Sequence, residues 1–195
     1  MKTFKQTENK FLNMYETEFI DRNGKKRKYF FASRAQTAEK LKCNAGEKAD
    51  GVDIVALYGE KLVLIKQYRV PIDAVLYECP AGLIDEGEDP VTAAKRELLE
   101  ETGLTLEPIP SPQGWDRGFY TSVGMSDEAC AVVFGKAYGE ISTEMSEASE
   151  RISVVPVDRE EARRILKEER LSLRCALILM EFVGGGLSEL FDQIG

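Results

Sequence analysis

Residues 82–104 read Gly82-Leu-Ile-Asp-Glu-Gly-Glu-Asp-Pro-Val-Thr-Ala-Ala-Lys-Arg-Glu-Leu-Leu-Glu-Glu-Thr-Gly-Leu104. Asp89 is a favoured residue for a helix N-cap, and proline is favoured at the first helical position that follows it. Gly103 can end the helix in the left-handed conformation. The segment therefore predicts a loop followed by a helix from Pro90 to Thr102.

Three glutamates share one face of this predicted helix. At about 100° per residue, Glu97, Glu100 and Glu101 fall within an arc of about 100°. They repel one another by roughly 0.2–0.5 kcal/mol per i,i+4 pair. Glu100 and Glu101 also occupy the last turn, where the helix dipole disfavours anions. Helix stability alone does not explain this arrangement, whereas a bound cation does.

The composition narrows the possible chemistry. The chain has 195 residues, a formal net charge of −8 and no histidine. The missing histidine excludes Ser-His-Asp and Cys-His triads and imidazole zinc ligands. Carboxylate oxygens are the ligands that Mg²⁺ and Mn²⁺ prefer. We interpret the acidic face as a site for Mg²⁺, with Mn²⁺ as a substitute; the alternative is an ordinary solvated acidic face.

The segment resembles the Nudix box, G-x5-E-x7-R-E-U-x-E-E-x-G-U, in which U is a bulky apolar residue. All nine constrained positions match: Gly82, Glu88, Arg96, Glu97, Leu98, Glu100, Glu101, Gly103 and Leu104. The resemblance implies hydrolysis of a phosphoanhydride by a metal held against a diphosphate. It implies Glu97 and Glu101 as the principal metal ligands, with Glu100 assisting. It further implies a ligand from a backbone carbonyl near Gly82, that of Ala81.

The same resemblance implies roles for residues around the ligands. Arg96 would orient the glutamates by ion pairing, and Glu88 would complete that network. In similar enzymes a further glutamate after the box acts as general base or additional metal ligand. Glu150 best matches its position, just before a late strand, and Glu147 is the rival.

Three flanking segments resemble the branch of the family that cleaves ADP-ribose and nucleoside diphosphate sugars. They are the Q-Y-R element at 67–69, the E-x-P-A-G lead-in at 78–82, and a Y-x-S-P-G-x-S-D-E loop at 119–128, where Val123 replaces the usual proline. The resemblance implies substrate contacts from Arg69, Glu78 and Glu128. Arg69 and Glu78 could instead belong to structural ion pairs.

The leading functional hypothesis is therefore hydrolysis of ADP-ribose to AMP and ribose 5-phosphate. The alternative within enzymes is another nucleoside diphosphate sugar, such as GDP-mannose. A different class is a Nudix-fold sensor that binds such a ligand without cleaving it. Degenerate boxes mark that class, and the box here is intact.

The predicted fold is α/β (α+β): a Nudix fold with a mixed β-sheet between helices and an N-terminal antiparallel β extension. We place the extension at residues 1–48 and the hydrolase domain at 49–195. Predicted strands lie at 11–20, 28–33, 52–57, 62–67, 130–134 and 152–157, and two further helices at 158–168 and 172–183. A lone N-terminal hairpin cannot bury a face by itself. We therefore expect a homodimer, with the extension exchanged between subunits as in similar enzymes.

The remaining features predict an ordinary cytoplasmic protein. No stretch approaches the roughly 18 apolar residues that span a bilayer, and the start lacks the apolar core of a secretory signal. The negative charge argues against nucleic-acid partners. The four widely spaced cysteines are interpreted as reduced core thiols.

Overall fold

A computed structural model describes residues 2–45, 48–110, 117–145 and 151–194. The strands are β1 (Lys2–Lys5), β2 (Asn13–Ile20), β3 (Lys26–Ser33), β4 (Gly51–Tyr58), β5 (Lys61–Arg69), β6 (Ala74–Glu78), β7 (Ala81–Leu83), β8 (Thr105–Pro108), β9 (Phe119–Tyr120), β10 (Ala129–Tyr138) and β11 (Ile152–Val157). The helices are α1 (Lys42–Ala45), α2 (Pro90–Thr102), α3 (Arg159–Glu168), α4 (Leu173–Gly184) and α5 (Gly186–Ile194). No helix among these is long and apolar enough to cross a membrane in the part of the chain that the structure describes.

The chain divides into two compact units. The first contains residues 1–50 and 117–131, and the second contains residues 51–116 and 132–195. The first segment of the first unit ends at residue 50, and the boundary predicted from the sequence lies between residues 48 and 49. The segment 117–131, distant in sequence, joins the same unit.

The first unit is built on an antiparallel sheet of three strands in the order β1-β2-β3. Tyr15 on β2 is fully buried, stacks on Phe31 with ring centroids 5.8 Å apart, and donates its hydroxyl to the Ala35 carbonyl at 2.7 Å. Burial raises the pKa of the Tyr15 phenol. The predicted hairpin is therefore extended by β1, which the sequence did not indicate.

The second unit is organised around β4 and β5, in which most residues are buried. The main sheet has the strand order β11-β5-β4-β10-β8. β4 and β5 pair only next to their connecting turn, with Leu57 opposite Leu62. Farther along, β5 pairs with β6, and β4 pairs with β7. The separation of the two strands makes room for the turn between β6 and β7, which leads into the box.

Helices cover both faces of this sheet. Val52, Ile54 and Ala56 point to one face and form a core with Ala93, Ala94 and Leu98 of α2. Val55, Leu62 and Leu64 point to the other face and pack with residues of α3, α4 and α5, including Ile165, Leu179 and Phe191. Alternate residues of each strand face opposite helices because side chains in a strand alternate. The predicted sheet between helices is confirmed.

Several predicted elements agree closely with the structure, and others were missed. Strand β11 covers the predicted residues, and α3 and α4 begin after the N-caps Asp158 and Ser172. The short strands β6 to β9 and helix α5 were not predicted. All four cysteines are free, and Cys79 and Cys175 are buried. The prediction of a core position is wrong for Cys43, which is exposed.

Candidate active site

Helix α2 begins and ends as its sequence predicts. The Asp89 side chain accepts hydrogen bonds from the backbone N–H groups of Val91 and Thr92, at 2.9 and 3.0 Å. Gly103 adopts φ 74°, and its N–H donates to the Leu99 carbonyl. The N-terminal cap, the following proline and the glycine stop thus define the helix that carries the three glutamates.

Gly82 lies directly against the carboxylate of Glu97. A Cβ at Gly82 would overlap the Glu97 carboxyl carbon and both of its oxygens. The φ of Gly82 is ordinary, so it is space and not backbone conformation that excludes a side chain. Because β7 holds Gly82 opposite Val52 of β4, the sheet brings this bare backbone to the helix.

The Glu101 carboxylate is buried, with only 2% of the residue exposed. Its Oε2 accepts a hydrogen bond from the Ala81 N–H at 3.1 Å. A buried carboxylate needs such donors, because an unpaired one costs several kcal/mol. The residue predicted to offer its carbonyl to a metal thus holds a predicted metal ligand through its amide.

Arg96 connects the helix to the loop before it. Its Nη1 lies 2.8 Å from Glu97 Oε1 and 3.3 Å from Glu100 Oε2, and its Nη2 lies 3.0 Å from Glu88 Oε2. Nη2 also donates to the Leu83 carbonyl at 2.9 Å. The hydrogen bond from Arg96 lowers the pKa of the Glu88 carboxyl. The hydrogen bonds that Arg96 donates to Glu88 and Glu97 in turn raise the pKa of Arg96 despite its partial burial.

The oxygen atoms around Gly82 are of the type that binds a hard divalent cation. Glu97, Glu100 and Glu101 offer only carboxylate oxygens, and the strand beside them offers backbone carbonyls. The Glu97 carboxylate occupies the volume that a side chain at Gly82 would fill. Within residues 2–45, 48–110, 117–145 and 151–194, no three Asp, Glu or Cys side chains converge into a ready metal-binding group. Arg96, bound to Glu97 and Glu100, provides the positive charge there.

The two substrate-contact candidates next to the box bind each other. Arg69, the last residue of β5, donates from Nε to Glu78 Oε2 at 2.6 Å. The Arg69 side chain is 45% exposed and that of Glu78 only 12%. In the antiparallel pairing of β5 and β6, Arg69 lies opposite Ala74 and Glu78 lies opposite Ile65, so the two side chains meet along the strands and not directly across them. Contact of either residue with substrate stays a prediction.

The third candidate, Glu128, belongs to the other compact unit. It forms an ion pair with Arg34 at 3.1 Å, and its Oε1 lies 3.1 Å from the Thr121 hydroxyl. The two candidates for the general base, Glu150 and Glu147, lie outside the described residues. Their assignment stays a prediction.

One charged pair that the sequence did not predict involves β4, the strand that pairs with β7. Arg174 in the first turn of α4 lies 2.6 Å from Asp53 of β4 through its Nη1. Two signals could have found it. An aspartate interrupts the apolar run of β4, and an arginine in a first helical turn opposes the helix dipole.

The NUDIX domain model matches residues 47–174 of the chain. This chain belongs to the Nudix family. The match includes the box, α2 and the main strands, and it ends within α4. The predicted family and hydrolase class are confirmed.

The relatives of this Nudix protein include proteins named as pyrophosphatases and a protein named as an activator. It is 36% identical over 106 residues to the ADP-sugar pyrophosphatase of Mus musculus, covering 52% of this chain and 45% of that one. It is 32% identical over 123 residues to the ADP-ribose pyrophosphatase of Bacillus subtilis, covering 62% and 64%. It is 31% identical over 134 residues to the methanol dehydrogenase activator of Bacillus methanolicus, covering 68% and 70%.

A solved structure supports the same fold. The crystal structure of an ADP compounds hydrolase aligns with this Nudix protein at a TM-score of 0.68 and covers 97% of this chain and 94% of that one. The sequence identity of the pair is 18%. At that identity the likeness concerns the fold alone.

Proposed function

We propose that this Nudix protein hydrolyses ADP-ribose to AMP and ribose 5-phosphate in a Mg²⁺-dependent reaction. The observation that carries the proposal is the arrangement of the complete box, with Gly82 against Glu97 and the Ala81 N–H on Glu101. Relatives named as ADP-ribose and ADP-sugar pyrophosphatases support the substrate class.

In this proposal Glu97, Glu101 and Glu100 hold Mg²⁺, together with the Ala81 carbonyl. When bound, the ion supplies charge neutralisation on the diphosphate and a more acidic water. The Ala81 N–H holds the buried Glu101 carboxylate in position through its hydrogen bond. Arg96 aligns Glu97 and Glu100, and its own orientation comes from Glu88 and the Leu83 carbonyl. Glu150, with Glu147 as the alternative, would take the proton of the attacking water.

We assign the substrate contacts to Arg69, Glu78 and Glu128. Arg69 suits a phosphate because its half-exposed guanidinium is held at one edge by Glu78. Arginine forms paired hydrogen bonds with phosphate oxygens. Glu128, held by Arg34 and Thr121, would accept a hydrogen bond from a substrate hydroxyl or amine.

Two alternatives are worth testing. One is hydrolysis of another nucleoside diphosphate sugar, such as GDP-mannose, by the same residues. The other is a regulatory or sensing protein that binds a nucleotide. The observation that favours this class is the likeness to a protein named as a methanol dehydrogenase activator. The complete set of box carboxylates favours catalysis.

The test is incubation of the protein with ADP-ribose, GDP-mannose, UDP-glucose and NADH in the presence of Mg²⁺, scoring the nucleoside monophosphate released. We expect ADP-ribose to be cleaved fastest, and chelation of the metal to abolish cleavage. Mn²⁺ should restore it. Absence of turnover with every compound, together with tight binding of one, would favour the sensing protein instead.

Glu101→Gln is the variant that accompanies this test. The substitution removes one proposed metal ligand while keeping the side-chain size. The turnover rate should therefore fall by more than the ~10–100-fold that removal of an outer-shell partner costs. Glu60→Gln, an exposed change in the β4–β5 turn, is the matched control and should retain full activity. Unchanged turnover in Glu101→Gln would place the metal elsewhere. Homodimerisation and a cytoplasmic location remain part of the proposal.

A further inference from the structure

Arg174 and Asp53 form an ion pair across the face of the sheet that α4 covers. Their closest atoms, Nη1 and Oδ2, are 2.6 Å apart, and the two residues are 121 positions apart in sequence. Asp53 is only 8% exposed, whereas 44% of the Arg174 side chain is exposed. Removing Arg174 takes a positive charge away from a buried carboxylate, which costs more than replacing both members of the pair.

The position of Arg174 is unfavourable for the helix that carries it. It is the second residue of α4, after the N-cap Ser172. A cation in the first turn opposes the helix dipole, which favours anions there. Its presence is explained by Asp53 and not by the stability of α4.

Asp53 in turn belongs to the stretch of β4 that holds the lead-in to the box. It lies opposite Ala81 in the antiparallel pairing of β4 and β7. The next residue, Ile54, donates its N–H to the Pro80 carbonyl at 2.9 Å. The Ala81 N–H then binds the Glu101 carboxylate. A continuous set of contacts therefore joins Arg174 to a proposed metal ligand.

The pair cannot act by touching that ligand directly. Ile54 packs toward α2. Side chains alternate along a strand, so Asp53, its neighbour, points to the opposite face. We propose that Arg174 is a positioning residue for the carboxylate site. By neutralising Asp53 it keeps the Pro80–Ala81 backbone paired to β4, and so keeps the Ala81 N–H on Glu101.

The test measures metal binding as well as turnover; the turnover readout rests on the proposed function. Binding of Mn²⁺ to the 195-residue protein is followed by the electron paramagnetic resonance signal of the free ion. We expect Arg174→Ala to weaken Mn²⁺ binding and lower kcat by about tenfold each, the lower end of the loss seen for outer-shell partners. KM for ADP-ribose should change less, and Arg174→Lys should recover part of the loss.

The double variant Asp53→Asn with Arg174→Ala separates charge neutralisation from packing. We expect it to bind Mn²⁺ better than Arg174→Ala, because the negative charge that Arg174 balances is removed together with Arg174. The matched control is Arg163→Ala on α3, an exposed arginine whose Nη1 donates to the Arg159 carbonyl and to no carboxylate of the described residues. It should behave as the wild type.

Two results would overturn the proposal. One is an Arg174→Ala protein that melts at a lower temperature yet binds Mn²⁺ normally well below its transition. The other is a double variant as impaired as Arg174→Ala. If Arg174→Ala does not fold, the lysine and double variants supply the same comparison. A wild-type protein that cleaves no nucleotide would refute the proposed function, while the Mn²⁺ titrations would still decide the role of Arg174.

Discussion

Gly82 shows how one missing side chain can determine a site. The carboxylate of Glu97 occupies the space where a Cβ would lie. We expect Gly82→Ala to displace Glu97 and lower kcat about 100-fold, the cost of misplacing a catalytic group by about 1 Å. The measurement is steady-state turnover of ADP-ribose with saturating Mg²⁺.

The control for this change is Gly184→Ala at the end of α4. Nothing lies within 4 Å of a Cβ there, and the φ is ordinary. This variant should keep its activity and gain a little helix stability. If Gly82→Ala were equally active, Glu97 would have room to move without loss, and its proposed role as a principal ligand would be wrong.

At the scale of elements, the end of α2 is tied to the loop that follows β10. Ser142 donates its N–H to the Thr102 carbonyl at 2.9 Å. A Cβ on Gly103 would lie 2.7 Å from the Ser142 nitrogen and 2.9 Å from the Glu140 carbonyl oxygen. The helix end and this loop therefore pack backbone to backbone.

Gly103→Ala should lower the free energy of unfolding more than Gly185→Ala does. Both glycines end a helix with positive φ, at 74° and 94°. Alanine in this conformation costs about 1–2 kcal/mol. Gly185 has open space around it, so only Gly103→Ala must also push backbone atoms apart. Chemical denaturation of the two variants measures the difference; equal losses would mean that the loop after β10 yields freely.

At the scale of the whole molecule, one face of the N-terminal sheet exposes large apolar side chains among charged ones. By register, Phe4 and Phe30 lie on either side of Glu16, and Met14 and Ile20 share that face. Phe30 is 54% exposed. Exposed apolar patches mark interaction surfaces. We expect this face to form the interface of a homodimer, with twice the mass of one chain by light scattering.

Phe30→Lys tests this expectation, because a lysine ammonium on this face would be buried in the interface. It should shift the protein toward monomer. Leu177→Lys on α4 is the matched control, since Leu177 is also 54% exposed. A wild-type monomer would refute the dimer, and dissociation by Leu177→Lys alone would place the interface on α4.

The elements that could be predicted are those with strong local signals. α2 has a cap, a proline and a glycine stop, and β11 is a β-branched run bounded by charged residues. β6 and β7 have only five and three residues, too few for a periodic pattern. They are strands because the diverging β4 and β5 leave backbone groups to pair with. α5 was missed because the glycines after 183 indicate where a helix ends and not that another begins.

The sequence by itself determined the chemistry available to this protein: a complete Nudix box, three glutamates on one helical face and no histidine. These are local properties, readable from spacing along a single helix. Only the tertiary structure decided that Gly82 meets Glu97, that Arg69 pairs with Glu78, and that Arg174 neutralises Asp53. Such contacts depend on which strands pair and in which register. Register is set by the packing of the whole sheet and cannot be predicted from any single segment.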